Sequence, residues 1–407
     1  MVKAKFGISD ILAIYILIWS VTPIMASGTI YRIALILCSV IWIALHIDFL
    51  TSNINMTLAV IILIAYTFIL RAINGGFSSG VSWTINTAIY SLVAIIAAYY
   101  LEFKLENVQL FLEIMMVCTA IVSLISIQTV INDPTSLRTA THEWDQGANS
   151  YGAYSYVYMC VQAVPALFIV LRTNVLRRNN IIWTLLSSLT FILYAILIIL
   201  SGFTLANIIS IVGLAICLIL INPSIGKKII LMLVLLIVIF WYKDILEALF
   251  SFLLSVTKNS PMYTTKIKEL ADQFLNGATF GDSYVDRVSL YKESWNAVFR
   301  YPLLGSVYWT GNIVGGGHST FVDVLAYGGV FYSAVYYWQM IVFPVKQINS
   351  ANAPKLISRV LIMTFLITNL LTGLFDTVTY ANAWVWFLLF PYLAKKAAVY
   401  TQEEIFK

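Results

Sequence analysis

The chain has 407 residues, of which 60% are hydrophobic and only 11% are Asp, Glu, Lys or Arg, and its mean hydropathy is +0.88. A soluble domain carries about a quarter charged residues, so this composition excludes one and points to a protein built for lipid. The formal net charge of +5 is small, and the loops show it to be mostly a matter of topology, not of nucleic-acid binding.

Taken in chain order, apolar runs near the length that crosses roughly 30 Å of hydrocarbon predict about twelve helices. They lie near 10–27, 30–47, 56–73, 81–100, 108–130, 150–171, 181–200, 203–221, 228–247, 318–345, 356–376 and 382–399. A barrel would need strands of ~10 residues alternating in polarity, and the runs are continuous. The expected fold class is therefore all-α: a polytopic membrane helical bundle forming one integral domain over 1–407. Lys3 and Lys5 precede the first run, but its core is long for a leader and no small-x-small site follows, so it reads as a retained span.

Orientation follows from Lys and Arg in the connections. With the N-terminus inside, the cytoplasmic segments hold Lys3, Lys5, Lys104, Arg172, Arg177, Arg178, Lys227, Lys228, Lys346, Lys355, Arg359, Lys395, Lys396 and Lys407. The short outer loops hold only Arg32, Arg71 and Arg138. That asymmetry predicts both ends in the cytoplasm. Cys38, Cys118, Cys160 and Cys217 all fall inside predicted spans at no metal or redox spacing, and read as packing residues.

Two outer segments exceed what a connection needs: a short loop at 131–150 and a large one at 248–317. Within the large loop, 262–276 reads as a short amphipathic helix. A second follows over 281–302, opened by a capping box at Ser283 and Asp286 and closed by Pro302. Its Val288, Tyr291, Trp295, Val298 and Phe299 recur at helical spacing on one face, with Asp286, Arg287 and Glu293 largely off it. Such a helix is expected to lie on the membrane surface with that face toward lipid or the bundle.

Chemistry points to the end of this loop. Among three histidines, His46 sits at a helix end and His142 in the shorter outer loop. His318 follows Gly315, Gly316 and Gly317 at the lip of an apolar run, with Asp323 inside that run. An imidazole is the usual general base at neutral pH, and a carboxylate in an apolar stretch is costly unless paired or facing a wet cavity. Asp323 could orient His318, bind a sugar hydroxyl or pair with an arginine; their spacing of five favours a shared cavity over a direct dyad. The outer arginines Arg32, Arg71, Arg138, Arg287 and Arg300 can grip phosphate oxygens in a fork. No outer set of three spaced His, Cys or carboxylate ligands is present, so neither metal nor other cofactor is expected. The Gly-Phe-Ser-Ser-Gly at 76–80 lacks the order of an intramembrane serine nucleophile.

Residues 286–332, DRVSLYKESWNAVFRYPLLGSVYWTGNIVGGGHSTFVDVLAYGGVFY, resemble the C-terminal signature of the O-antigen polymerase and ligase superfamily. Shared elements are an Arg-led amphipathic helix, a Pro-x-x-Gly turn (Pro302, Gly305), a glycine-rich approach, a His-Ser pair and an apolar helix carrying Gly328 and Gly329. Arg138, with Asn149 and Gly152, is similar to the family's earlier Arg and Asn-x-x-Gly segment. One departure is that Ser201-Gly202-Phe203-Thr204 stands where the family often has Ser-Gly-Ser-Arg.

The resemblance implies a GT-C-like membrane glycosyltransferase of lipopolysaccharide biosynthesis in the bacterial inner membrane, working on the periplasmic face. It implies a growing glycan on undecaprenyl pyrophosphate as donor, a lipid-linked repeat unit as acceptor, and a chain-length-regulating membrane protein as partner. In that reading His318 is the catalytic base. Arg287, Arg138 and Arg300 take the pyrophosphate, and Asp323, Asn149 and Gly317 complete the substrate site. Trp144, Trp295, Tyr308 and Trp309 are candidates for stacking on sugar. His-Ser with Asp323 leans toward a polymerase. The alternatives are the ligase that moves finished glycan to lipid A core and, from another class, a lipid-glycan flippase; polar residues concentrated at the outer face favour an enzyme.

Overall fold

The computed structural model describes residues 6–23, 25, 28–73, 81–132, 137, 154–173, 181–221, 226, 233, 241–256, 264, 267–268, 271, 280–310, 319–376, 378 and 380–400. Among them the structure is all-helical, with no strand. The helices are α1 (Ile8–Val21), α2 (Thr29–Leu45), α3 (Ile47–Ser52), α4 (Ile54–Ile73), α5 (Val81–Phe103), α6 (Leu105–Asn132), α7 (Tyr154–Arg172), α8 (Ile181–Leu200), α9 (Thr204–Ile221) and α10 (Tyr242–Val256). The C-terminal third adds α11 (Phe280–Arg300), α12 (Gly305–Thr310), α13 (Thr320–Tyr337), α14 (Phe343–Ser350), α15 (Lys355–Phe375) and α16 (Phe390–Ala397).

Among the described residues α6, α8 and α15 can cross a membrane by length and composition, and six further apolar stretches of 10–17 residues accompany them. The outward faces carry rows of large apolar side chains, such as Ile33, Ile36, Leu37, Val40 and Ile41 on α2, as expected where lipid replaces water. The ninth expected span, 228–247, falls largely outside the described residues. The expected edge of the large loop at 248 lies inside α10.

Helices α6, α7 and α8 pack together, α9 joins α7 to α15, and the segment 383–397 that ends in α16 occupies the centre of the bundle. Because these helices carry apolar side chains on their outward as well as their inward faces, polar groups supply much of the specificity of packing. Tyr194 donates to Thr119 Oγ1 at 2.5 Å and Tyr156 to the Thr119 carbonyl at 2.5 Å, joining α8 and α7 to α6. Trp386 Nε1 donates to Gln162 Oε1, tying the central segment to α7. All four cysteines are free, with Cys160 and Cys217 buried.

Prolines shape three of these helices. Pro165 sits inside α7, with Gly213 of α9 packed so closely on its ring that a Cβ there would lie 2.6 Å away. Pro344 and Pro391 each follow a π-helical turn, Trp338–Val342 and Val385–Leu389. Proline has no N–H to give the carbonyl four residues earlier, and in the first case that carbonyl, Met340, accepts instead from Asn369 Nδ2 of α15 at 3.2 Å.

Candidate functional site

The signature segment folds around the start of α13. Ser319 caps that helix: its Oγ accepts the Val322 N–H at 3.3 Å and donates to the Gly373 carbonyl of α15 at 3.2 Å. Asp323, one turn inside, reaches back so that Oδ2 accepts the Ser319 N–H at 3.1 Å. Its other oxygen, Oδ1, accepts the Ser294 hydroxyl of α11 at 2.6 Å. A carboxylate in the first turn also meets the positive end of the helix dipole. Asp323, only 3% exposed, is therefore held by two protein donors from two elements, and its costly burial is accounted for by that network.

Helix α11 does not lie flat across the helix ends. Ser294 meets Asp323, Ala297 and Val298 cluster with Ala326, and the Pro302 carbonyl accepts the Val330 N–H at 2.8 Å. These contacts advance in step along both helices, so α11 runs beside and parallel to α13. Its apolar stripe is split: Val298 is buried, while Trp295 and Phe299 stack outward at 6.0 Å. The helix also begins at Phe280, which places Ser283 inside it and not at its cap.

At the foot of α11 the two glycine elements of the signature interlock. Gly305 and Gly329 both have positive φ, +73° and +67°, a region closed to most side chains. A Cβ on Gly305 would lie 2.0 Å from the Tyr327 carbonyl oxygen, and one on Gly329 2.3 Å from that of Leu303. Gly329 thus breaks the α13 pattern so that the Pro302–Gly305 turn can seat against it. The Tyr66 hydroxyl of α4 closes the junction, 2.6 Å from the Leu304 carbonyl and 2.9 Å from that of Gly328.

The end of α15 completes the frame. The Asp376 carbonyl accepts the Thr320 N–H at 3.1 Å, and Thr320 Oγ1 accepts the Val378 N–H at 2.6 Å. Asp376 is buried, so this end of the bundle holds a second buried carboxylate. Neither Asp376 nor Ser294 stands out in the sequence. The one in a connection and the other on an amphipathic helix acquire their setting only through contacts with α13.

Arg300 ends α11 on an exposed face, with its guanidinium 5.4 Å from the Tyr301 ring centroid. Arg287 lies within α11, but its side chain is outside the described residues. So are His318, Gly317, Arg138, Asn149, His142 and Trp144 altogether. Tyr308 and Trp309 meet edge-on at 5.0 Å, and Trp309 is 63% exposed. His46 stacks on Tyr99 at 4.2 Å between α2 and α3, a packing role. Ser201-Gly202-Phe203 forms the turn between α8 and α9, with Gly202 at φ +69° and Ser201 Oγ accepting the Phe203 N–H at 3.3 Å. Among the described residues no three of His, Cys, Asp and Glu come together as a metal-ligand set.

No protein-family model, no curated protein and no solved structure matches the chain.

Proposed function

We propose that the chain is an O-antigen polymerase: an inverting, metal-independent glycosyltransferase with about twelve spans and a GT-C-like fold, in the inner membrane with its site toward the periplasm. What carries the reading is the junction just described. The Pro-x-x-Gly and Gly-Gly elements that resemble the family signature, one in the large loop and one in the next expected span, seat against each other through backbone contacts (Pro302 with Val330, Gly305 with Tyr327). They seat the end of α11 against the middle of α13, the helix that begins at Ser319, next in sequence to His318.

In this proposal His318 takes the proton from the acceptor sugar hydroxyl as that oxygen attacks the anomeric carbon. The bond to undecaprenyl pyrophosphate breaks on the opposite face, so a single displacement inverts the centre. Arg287 and Arg138, with Arg300, stabilise the charge that develops on the departing pyrophosphate. Asp323, which accepts from Ser294 and Ser319, acts by holding Ser319 and α11 in place. Asn149, Gly317 and the exposed aromatic residues contact sugar.

The deciding measurement is the sugar-polymer banding pattern of a null strain carrying wild type, His318→Ala or Arg287→Ala. The proposal expects wild type to restore the ladder and each variant to leave one repeat unit on the core. Bare core would mean a ligase, and an intact ladder with His318→Ala would remove the base.

A further inference from the structure

At the opposite end of α13 from Ser319, two joined cavities open between α4 and the α13–α14 segment. The first, about 450 Å³, is an apolar groove lined by Leu58 and Ile62 of α4 and by Val335 and Trp338. The second, about 240 Å³, is polar and takes in Glu102 from the end of α5 together with Gln347 of α14. Asn55, Trp338 and Lys346 line both, so the groove runs directly into the polar chamber. On α4 the residues 55, 58, 59 and 62 share one helical face, and 334, 338 and 346 share one on the facing segment.

Lys346 and Glu102 both line this chamber and are exposed, yet they are not within ion-pair distance of each other; among the described residues the only ion pair is Lys104 with Asp10. One cation and one anion held apart at the mouth of an apolar groove form a dipolar receptor. We infer that this is a phospholipid site for a zwitterionic phosphoethanolamine headgroup. The phosphate sits at Lys346, the ammonium at Glu102 with Asn55 beside it, and one acyl chain lies in the groove against Leu58, Ile62 and Trp338. Basic and tryptophan side chains at headgroup depth are common anchors and basic pockets there take anionic lipids. Glu102 sets this one apart. It disfavours a purely anionic headgroup, and a choline headgroup has no N–H to donate to it. The site is separate from the α11–α13 junction and does not depend on the function proposed for it.

The test uses the purified full-length protein in bilayer discs of equal parts phosphatidylethanolamine, phosphatidylglycerol and phosphatidylcholine, with the retained lipid counted by native mass spectrometry. Wild type is expected to retain phosphatidylethanolamine several-fold over both others. Glu102→Gln should bring it down to the phosphatidylcholine level, and Lys346→Gln should lower retention of all three. Retention at the bulk ratio by wild type, dominance of phosphatidylglycerol, or an ethanolamine excess that survives Glu102→Gln would each overturn the site. The wild-type comparison decides the matter even if a variant fails to fold.

Discussion

Asp323 accepts the Ser294 hydroxyl at 2.6 Å while its second oxygen accepts the Ser319 N–H at 3.1 Å. One carboxylate therefore joins α11 to the cap of α13, and that cap is tied in turn to α15 through Gly373. The residue that looks in sequence like a free polar group in an apolar run is the staple of three elements. This explains how a carboxylate is tolerated there and why its removal should be felt in stability.

Asp323→Ala takes the acceptor from the buried Ser319 N–H and leaves the Ser294 hydroxyl only the Leu290 carbonyl of its own helix at 3.1 Å, a loss of roughly 1–3 kcal/mol. Ser294→Ala removes the bond between α11 and Asp323 and should cost about 1 kcal/mol. Because the two share one interaction, the double variant should fall short of the sum by at least ~0.5 kcal/mol. Thermal unfolding of the purified protein in detergent measures all three. Strict additivity would mean that the Ser294 contact contributes nothing.

Asp10 is a buried carboxylate at another place in the bundle. It accepts from the Gly7 N–H at 2.7 Å, Asn107 Nδ2 at 3.1 Å and Lys104 Nζ at 3.0 Å, locking α1 to the α5–α6 turn. Asp10 is fully buried, whereas the Lys104 side chain is 31% exposed. Water can therefore replace Asp10 at Lys104 but not at Asn107. Asp10→Ala should lower stability by roughly 1–3 kcal/mol, and Lys104→Ala by clearly less, since Asp10 keeps its other two donors. Equal losses in melting experiments would contradict this order.

Much of the helix pattern is legible in the sequence, because apolar length is a strong signal: the run at 181–200 coincides with α8, and that at 356–376 with α15 to within a residue. What apolar length does not carry is which face is buried. In a chain this hydrophobic, the buried central segment 383–397 is no more apolar than α2, whose large side chains face outward, and only packing tells them apart. The expected single span at 318–345 conceals a break at Gly329 and a π-helical turn at Trp338–Val342. Pro344 hints at the second, but the first depends on the Leu303 backbone arriving from elsewhere. For the site, the glycines, Pro302 and Asp323 were visible as residues, whereas Ser294 and Asp376 become relevant only through tertiary contacts.

The π-helical turn before Pro344 offers a separate check. Asn369 Nδ2 donates to the Met340 carbonyl, the group that an N–H at position 344 would serve in a regular turn. Asn369→Leu keeps the volume and removes the donor, so a buried carbonyl loses its bond at a cost of roughly 1–3 kcal/mol. Pro344→Ala restores an N–H that can serve Met340 in a regular turn. Combined with Asn369→Leu it should therefore recover part of the loss. If the double variant melts no higher than Asn369→Leu alone, proline is not the reason that Asn369 is needed.

The strongest stability effects should come from the glycine junction. Gly305→Ala and Gly329→Ala each place a methyl group within 2.3 Å of a carbonyl oxygen belonging to the opposing segment, at positive φ. Neither backbone can yield without separating the Pro302 turn from α13, so the loss of Val330's bond to Pro302 comes with the strain. Strain at such a backbone position costs about 1–3 kcal/mol by itself, and the overlap adds to it. Gly226 makes the control: nothing lies within 4 Å of its Cβ position and its φ is not positive, so Gly226→Ala should stay within roughly ±0.5 kcal/mol. Protein yield and melting temperature in detergent read all three variants together. A Gly329→Ala protein as stable as Gly226→Ala would show that α13 runs straight at this point and that the two glycine elements do not seat against each other.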